Sequence, residues 1–254
     1  MLHKQGNWNS IPRQYMKNEN DKIIVMLHGA HFVHSFGRQY VLANRYHIIV
    51  PHIMGFGAEA DKTFDAETCV KELAEFIGTL GKKVTLVGFS LGAQLALKLI
   101  SEYEDFINGA IVVSPWLIKE ESIMAEILEQ NLKQLASLKK RWLCHLIGTM
   151  NGLPPAQCKE FVEQMQHVKE ETVRNVVLNG ITLESLSGFA NISVPVIALA
   201  GAKEEDAVKD SVKELSRMNP SCKYEIWDKA GHNIPPLFAK RFNDLIVSVI
   251  ENEM

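Results

Sequence analysis

Apolar and polar positions follow two periods along this chain of 254 residues. Short runs rich in apolar and β-branched residues predict strands at 22–28, 46–50, 83–89, 109–114, 194–200 and 223–227. Between them the period lengthens to that of a helix. From Asp65 to Leu80, residues Val70, Leu73, Ile77 and Leu80 share one face, with Asp65 as N-cap and Gly81 as the stop. Val208, Val212 and Leu215 define a second helix ended by Asn219-Pro220, and Leu237, Phe238, Phe242, Leu245, Ile246 and Val249 define the last. Strands that alternate with helices predict an α/β fold, a mainly parallel sheet with helices on both faces. In such sheets ligands bind beyond the carboxyl ends of the strands.

One interval breaks the alternation. From Leu117 to Asn191 the periodicity is helical and no strand stands out. Ile123, Ile127, Leu128, Leu132 and Leu135 form one stripe, and Trp142, Leu143, Leu146 and Ile147 a second before Gly148. Pro154-Pro155 open a third helix running to about His167, and a fourth starts near Lys169. The chain therefore divides into a core of residues 1–116 and 192–254 and a helical cap insertion of residues 117–191.

Net charge is −3 with both signs interspersed, so no basic patch calls for nucleic acid or an anionic membrane. The first twenty residues are polar and carry no apolar signal core, and the longest apolar runs are only strand-length. Cys69, Cys144, Cys158 and Cys222 are widely spaced without a Cys-x-x-Cys pair. They read as reduced thiols, and a cytoplasmic location is expected.

Candidate chemistry centres on one stretch. The apolar run Val84–Val87 meets Gly88-Phe89-Ser90-Leu91-Gly92, and a helical pattern with Leu91, Leu95 and Leu99 follows. Gly-x-Ser-x-Gly between a strand and a helix predicts a sharp turn that exposes the serine hydroxyl. Gly88 and Gly92 are then the places where a side chain would clash. A hydroxyl needs a base, and among nine histidines His232 stands out, following Gly231 in a loop beyond the last strand. A third piece is the strand Ile23–Leu27 running into His28-Gly29-Ala30. The amides of Ala30 and Leu91 are placed to hold a developing oxyanion.

In that order, these pieces resemble the α/β-hydrolase superfamily over nearly the whole chain. A short lead-in and one helical cap look most like its small hydroxynitrile-lyase/esterase and sigma-regulator or hormone-receptor branches. Members usually carry Pro-Asp-x-x-Gly-x-Gly after the second strand, where this chain has Pro51-His52-Ile53-Met54-Gly55-Phe56-Gly57. The resemblance implies a sheet of about six strands here, without the usual N-terminal antiparallel pair because little chain precedes Ile23. It also implies a triad acid after the strand 194–200. Relatives carry Gly-x-x-Asp there and this chain reads Gly201-Ala202-Lys203-Glu204, so spacing selects Glu204, with Asp206 as the alternative acid.

The function so implied is a serine hydrolase acting on a small or medium ester, or a thioester, through an acyl-enzyme, without cofactor or metal. His28-x-x-His31-x-x-His34, with His52 nearby, is not expected to ligate a metal, because no acidic ligands accompany it. His31 and His34 are expected at the rim of the substrate pocket near the oxyanion loop, and Trp116 is expected to border it. Two other classes use the same residues: a ligand sensor that turns over slowly and signals through its cap to a protein partner, and a lyase. Dehalogenase and epoxide hydrolase chemistry is disfavoured, because those relatives carry aspartate at the elbow.

Overall fold

The structure is a computed structural model and describes residues 13–18 and 20–251. Seven strands form one sheet: β1 (Arg13–Met16), β2 (Ile23–Leu27), β3 (His47–Pro51), β4 (Val84–Phe89), β5 (Ile107–Val113), β6 (Val196–Gly201) and β7 (Cys222–Trp227). Their spatial order is β1-β3-β2-β4-β5-β6-β7. All neighbours run parallel except β1, which pairs antiparallel with β3.

All six expected strands are present, and that first strand adds a seventh. Arg13-Gln14-Tyr15-Met16 has no apolar run to announce it, and among the described residues it pairs on one side only, Arg13 opposite Pro51 and Met16 opposite Ile48. Short polar edge strands of this kind are held by backbone pairing rather than by a buried face. Any partner that would complete an N-terminal antiparallel pair falls in residues 1–12, outside the described residues.

The central strands read as continuous apolar runs because both of their faces are covered. Val25 and Leu27 point into one core with Leu86 and Val112, while Ile24 and Met26 point into the other with Val87 and Ile111. This two-residue alternation between two cores is the pleat itself.

Nine α-helices accompany the sheet among the described residues: α1 (Ala66–Gly78), α2 (Leu91–Tyr103), α3 (Met124–Leu138), α4 (Arg141–Met150), α5 (Pro155–His167), α6 (Glu170–Leu178), α7 (Asp206–Met218), α8 (Ile234–Leu237) and α9 (Ala239–Ile250). At the start of α1 the Asp65 carboxylate accepts the Thr68 amide at 2.8 Å, which satisfies one of the free N–H groups of the first turn. The chain leaves this segment through Gly81 at φ +66°, a conformation glycine adopts without strain. Helices α3 to α6 lie between β5 and β6 in the chain, and Leu135, Leu138, Phe161 and Val173 join the core on the α2 face.

The parallel register sets the functional edge. Phe89, Val113, Leu199 and Glu225 are successive partners across β4, β5, β6 and β7, so these four strands end side by side. The loops that follow them carry Ser90, Ser114, Glu204 and His232.

Candidate active site

Ser90 sits between β4 and α2 at φ 53° and ψ −115°, a strained backbone for a residue with a side chain. The neighbouring chain leaves it no alternative. A side-chain carbon on Gly92 would stand 1.9 Å from the Leu27 carbonyl oxygen, and one on Gly88 would stand 2.4 Å from that of Gly92. Both glycines are therefore required by β2 and α2 closing on the turn. The Ser90 amide donates to Val113 O at 2.8 Å, and its carbonyl accepts from Ala93 and Gln94 at 3.0 and 3.2 Å. The first two amides of α2, on Leu91 and Gly92, belong to the helical turn that lacks intrahelical acceptors. They face a region where the helix dipole favours negative charge.

The acid and the imidazole meet across β6 and β7. Glu204 Oε1 and His232 Nδ1 are 2.7 Å apart. The other carboxylate oxygen, Oε2, accepts from Ser114 Oγ at 2.7 Å and from the Gly201 amide at 2.7 Å. Backbone bonds hold the two loops together: Lys203 N donates to Ala230 O at 2.9 Å, and Ala202 N to Trp227 O at 3.0 Å. Gly201 permits this approach, since a side chain there would stand 2.5 Å from Ala230 O.

The Glu204 side chain is only 3% exposed, while His232 is 50% exposed. Burial works to raise the Glu204 pKa, but the bonds from His232, Gly201 and Ser114 outweigh it and hold the carboxyl below its ordinary value. It is thus an ionised carboxylate facing an imidazole. Asp206 takes no part in this contact. It is the first residue of α7, its side chain is 89% exposed, and it pairs with Lys209 at 2.8 Å.

No hydrogen bond joins Ser90 to His232 among the described residues, yet both border the same cavity of about 380 Å³. The His232 ring lies 5.0 Å from that of Phe89, the residue before the serine.

The loop after β2 lies against the elbow. A side-chain carbon on Gly29 would stand 2.9 Å from the Phe89 ring and 3.5 Å from Ser90 Cβ. His28 braces this loop: its Nδ1 donates to Gly29 O at 2.7 Å and its Nε2 accepts the Ile53 amide at 3.0 Å. Burial pushes His28 down to about 3, so it is neutral and fixed in the tautomer these bonds require. His52, at the position usually held by aspartate, performs a matching task, its Nδ1 accepting the Ala58 amide at 2.9 Å. An acceptor is what that loop needs, and a neutral imidazole supplies one; burial holds His52 at about 4.

His31 is buried at φ 68°, edge-on to Phe56 at 5.4 Å, and borders the cavity beside Ser90. Burial holds it at about 4. His34 borders the same cavity and also reaches α5, 3.1 Å from Glu160. Among the described residues no group of three or more His, Cys, Asp or Glu side chains is arranged to hold a metal ion. Trp116 borders a second cavity of about 610 Å³ that also touches Ser90, Ala30 and Leu91. Residues of α3 and α4, including Asn131 and Ile147, border these spaces, so these helices lie over the serine and not behind the sheet.

Sequence reasoning missed Ser114. At φ 54° the end of β5 bends so that its hydroxyl reaches Glu204. A serine before Pro115-Trp116 carries no signal of this by itself, because the contact spans ninety positions.

A strained serine at a strand–helix turn, facing a histidine and a buried carboxylate along one sheet edge, invites comparison with known proteins. The sequence profile of the alpha/beta hydrolase family matches residues 24–245. The chain belongs to that family. A curated relative from Bacillus subtilis (strain 168) is 25% identical over 210 residues, covering 74% of this chain and 75% of that protein. It is named, provisionally, a 2-succinyl-6-hydroxy-2,4-cyclohexadiene-1-carboxylate synthase. Among solved structures, an enol-lactonase from Burkholderia xenovorans LB400 superposes with a TM-score of 0.75 at 16% identity, covering 96% of this chain and 98% of that one. An esterase from Exiguobacterium antarcticum gives 0.74 at 17% identity, with 96% and 97% covered. MenH from S. aureus gives 0.68 at 20% identity, with 95% and 98% covered. At these identities the structural likeness speaks for the fold. Within the family, the alpha/beta core and its mostly parallel sheet are shared features.

Proposed function

We propose that this alpha/beta hydrolase family member is a serine esterase working through an acyl-enzyme, with residues 117–191 as its cap. Ser90 Oγ attacks the ester carbonyl while His232 Nε2 takes the hydroxyl proton. Glu204 fixes the imidazole tautomer through Nδ1 and stabilises its positive form. The Ala30 and Leu91 amides receive the oxyanion. His232 then returns the proton to the departing alcohol, and water repeats the sequence to release the acid. No step calls for a cofactor, a metal, nucleic acid or a membrane. The single observation that carries this reading is the 2.7 Å pairing of Glu204 with His232 beside the strained Ser90.

A reducing, cytoplasmic setting suits the cysteines, which are free and buried. Burial holds the Cys69 and Cys222 thiols up at about 12, where they resist oxidation. The test of the hydrolase reading is covalent labelling by an uncharged fluorophosphonate. The label should appear on Ser90 by mass spectrometry and disappear in Ser90→Ala. A label elsewhere, or none on folded protein, refutes it.

A second reading, a lyase on the same residues, is favoured by the name of the Bacillus subtilis relative. Its named product carries carboxylates, so the charge lining the cavities bears directly on the choice between the two.

A further inference from the structure

Ser90 lies where two cavities meet, and their walls differ in chemistry. Ala30, Ser90 and Asn131 border both. His232, Asn233 and Pro236 border only the smaller cavity, while Leu91 borders only the larger. Acyl transfer fixes what each must hold. The imidazole returns its proton to the leaving oxygen, so the alcohol arm lies on the His232 side, in the smaller cavity. The carbonyl oxygen turns to the Ala30 and Leu91 amides, and the acyl arm then extends into the larger one.

The larger cavity is walled by Trp116, Ile118, Ile123, Ile127, Val176 and Val177. Its ionisable groups are Glu120, Glu126, Glu205 and Asp206, every one a carboxylate. Asp206 is paired with Lys209 at 2.8 Å, and no ion pair engages the other three among the described residues. Gln94 adds a buried side-chain oxygen with no hydrogen-bond partner, a further site of negative partial charge. No lysine or arginine borders either cavity among the described residues. The nearby cation Lys119 is already engaged against the wall: its ammonium donates to Val177 O at 3.0 Å and lies 5.2 Å over the Trp116 ring.

From this asymmetry we propose that the substrate is an ester with an apolar acyl arm ending in an uncharged or cationic group, and that carboxylate-bearing acyl groups are rejected. The proposal rests on the hydrolase reading above. A terminal carboxylate entering this cavity would shed water, meet like charges and gain no cation, which is unfavourable at every stage. A quaternary ammonium or methyl terminus meets the apolar wall, the neutral amides of Gln94, Gln130 and Asn131, and the acidic rim. The same argument weighs against the lyase reading, whose named product is a carboxylic acid.

The test uses p-nitrophenyl esters of one acyl length: hexanoate, 6-(trimethylammonio)hexanoate and the monoester of adipate. At low ionic strength, kcat/KM for the adipate ester should fall about tenfold or more below hexanoate, and the cationic ester should match or exceed it. Because the rim carboxylates are exposed, the gap should shrink to about twofold at 0.5 M salt. Glu126→Gln with Glu205→Gln should narrow the ratio between the adipate and hexanoate esters in the same way. Val176→Trp, which fills the larger cavity, should depress hexanoate relative to acetate; an effect confined to the alcohol arm would reverse the assignment of the cavities. If the adipate ester is hydrolysed as fast as hexanoate while the fluorophosphonate still labels Ser90, the charge reading fails and the hydrolase reading stands. If no ester turns over and Ser90 is not labelled, the hydrolase reading beneath it fails.

Discussion

The sheet edge and the helices above it are built to different tolerances. Around β4 and α2 every residue from Leu91 to Ile100 is buried, and two glycines are fixed by contacts that no side chain fits. On α4, Trp142 and Met150 are 70% and 77% exposed, and only Cys144 and Gly148 are buried. The core therefore specifies geometry at the ångström level, where chemistry needs it. The overlying helices specify the shape and charge of the space above the serine, and tolerate change on their outer side.

This contrast can be broken or sharpened by substitution. The largest effect is expected from Ser90→Ala, which removes the proposed nucleophile while keeping the backbone bonds of the turn. Ester turnover should fall by about 10⁴-fold or more, read by steady-state kinetics, with the thermal unfolding profile retained.

Next comes the proposed triad acid. Glu204→Gln should reduce kcat by about 10²- to 10⁴-fold, because the amide no longer stabilises the imidazolium. Asp206→Asn, on an exposed side chain held by Lys209, should change it less than about twofold. A large loss confined to Asp206→Asn would overturn the assignment of Glu204.

Stability should separate the two regions by a similar contrast. Leu95→Ala on α2 leaves a cavity in a closed core and should cost about 2–5 kcal/mol in chemical denaturation. Trp142→Ala on the exposed face of α4 should stay within about 0.5 kcal/mol. A cost for Trp142→Ala as large as that for Leu95→Ala would erase the distinction drawn here.

The smallest expected effect is linked to pH. The folded-state pKa of Glu204 is depressed, so its ionised form contributes stability that is present above the unfolded carboxyl value of about 4.3. That contribution is lost as pH falls through the folded value. The stability difference between wild type and Glu204→Gln should therefore be pH-independent well above that range and shrink on acidification below it, measured by urea titration. A difference that grows as pH falls would show that the carboxylate is destabilised by its surroundings.

Much of the architecture was legible because burial on two faces leaves an unmistakable pattern. Runs such as Ile23–Leu27 and Val84–Phe89 cannot sit at a surface, and the spacing of Val70, Leu73 and Ile77 has only a helical solution. The elbow was legible for a related reason, since Gly88, Ser90 and Gly92 alternate within one short stretch and constrain one turn. The strand Arg13–Met16 was not, because an edge strand held by backbone pairing with β3 needs no apolar code. Ser114 was not, because its bond to Glu204 joins two strand ends far apart in sequence.

The sequence by itself determined the local elements, the alternation that makes the sheet parallel, and the identity of a serine that must be exposed on a strained turn. These follow from steric rules and hydrophobic periods that act over a few residues. Spacing already favoured Glu204, but only the tertiary structure brought it and not Asp206 to His232, gave His52 the loop acceptor role, and left carboxylates as the only ionisable groups lining the larger cavity among the described residues. Those outcomes depend on which strand ends lie side by side and on how helices cross above them. Distances of this kind are set by the packing of the whole chain, and no short window of residues encodes them.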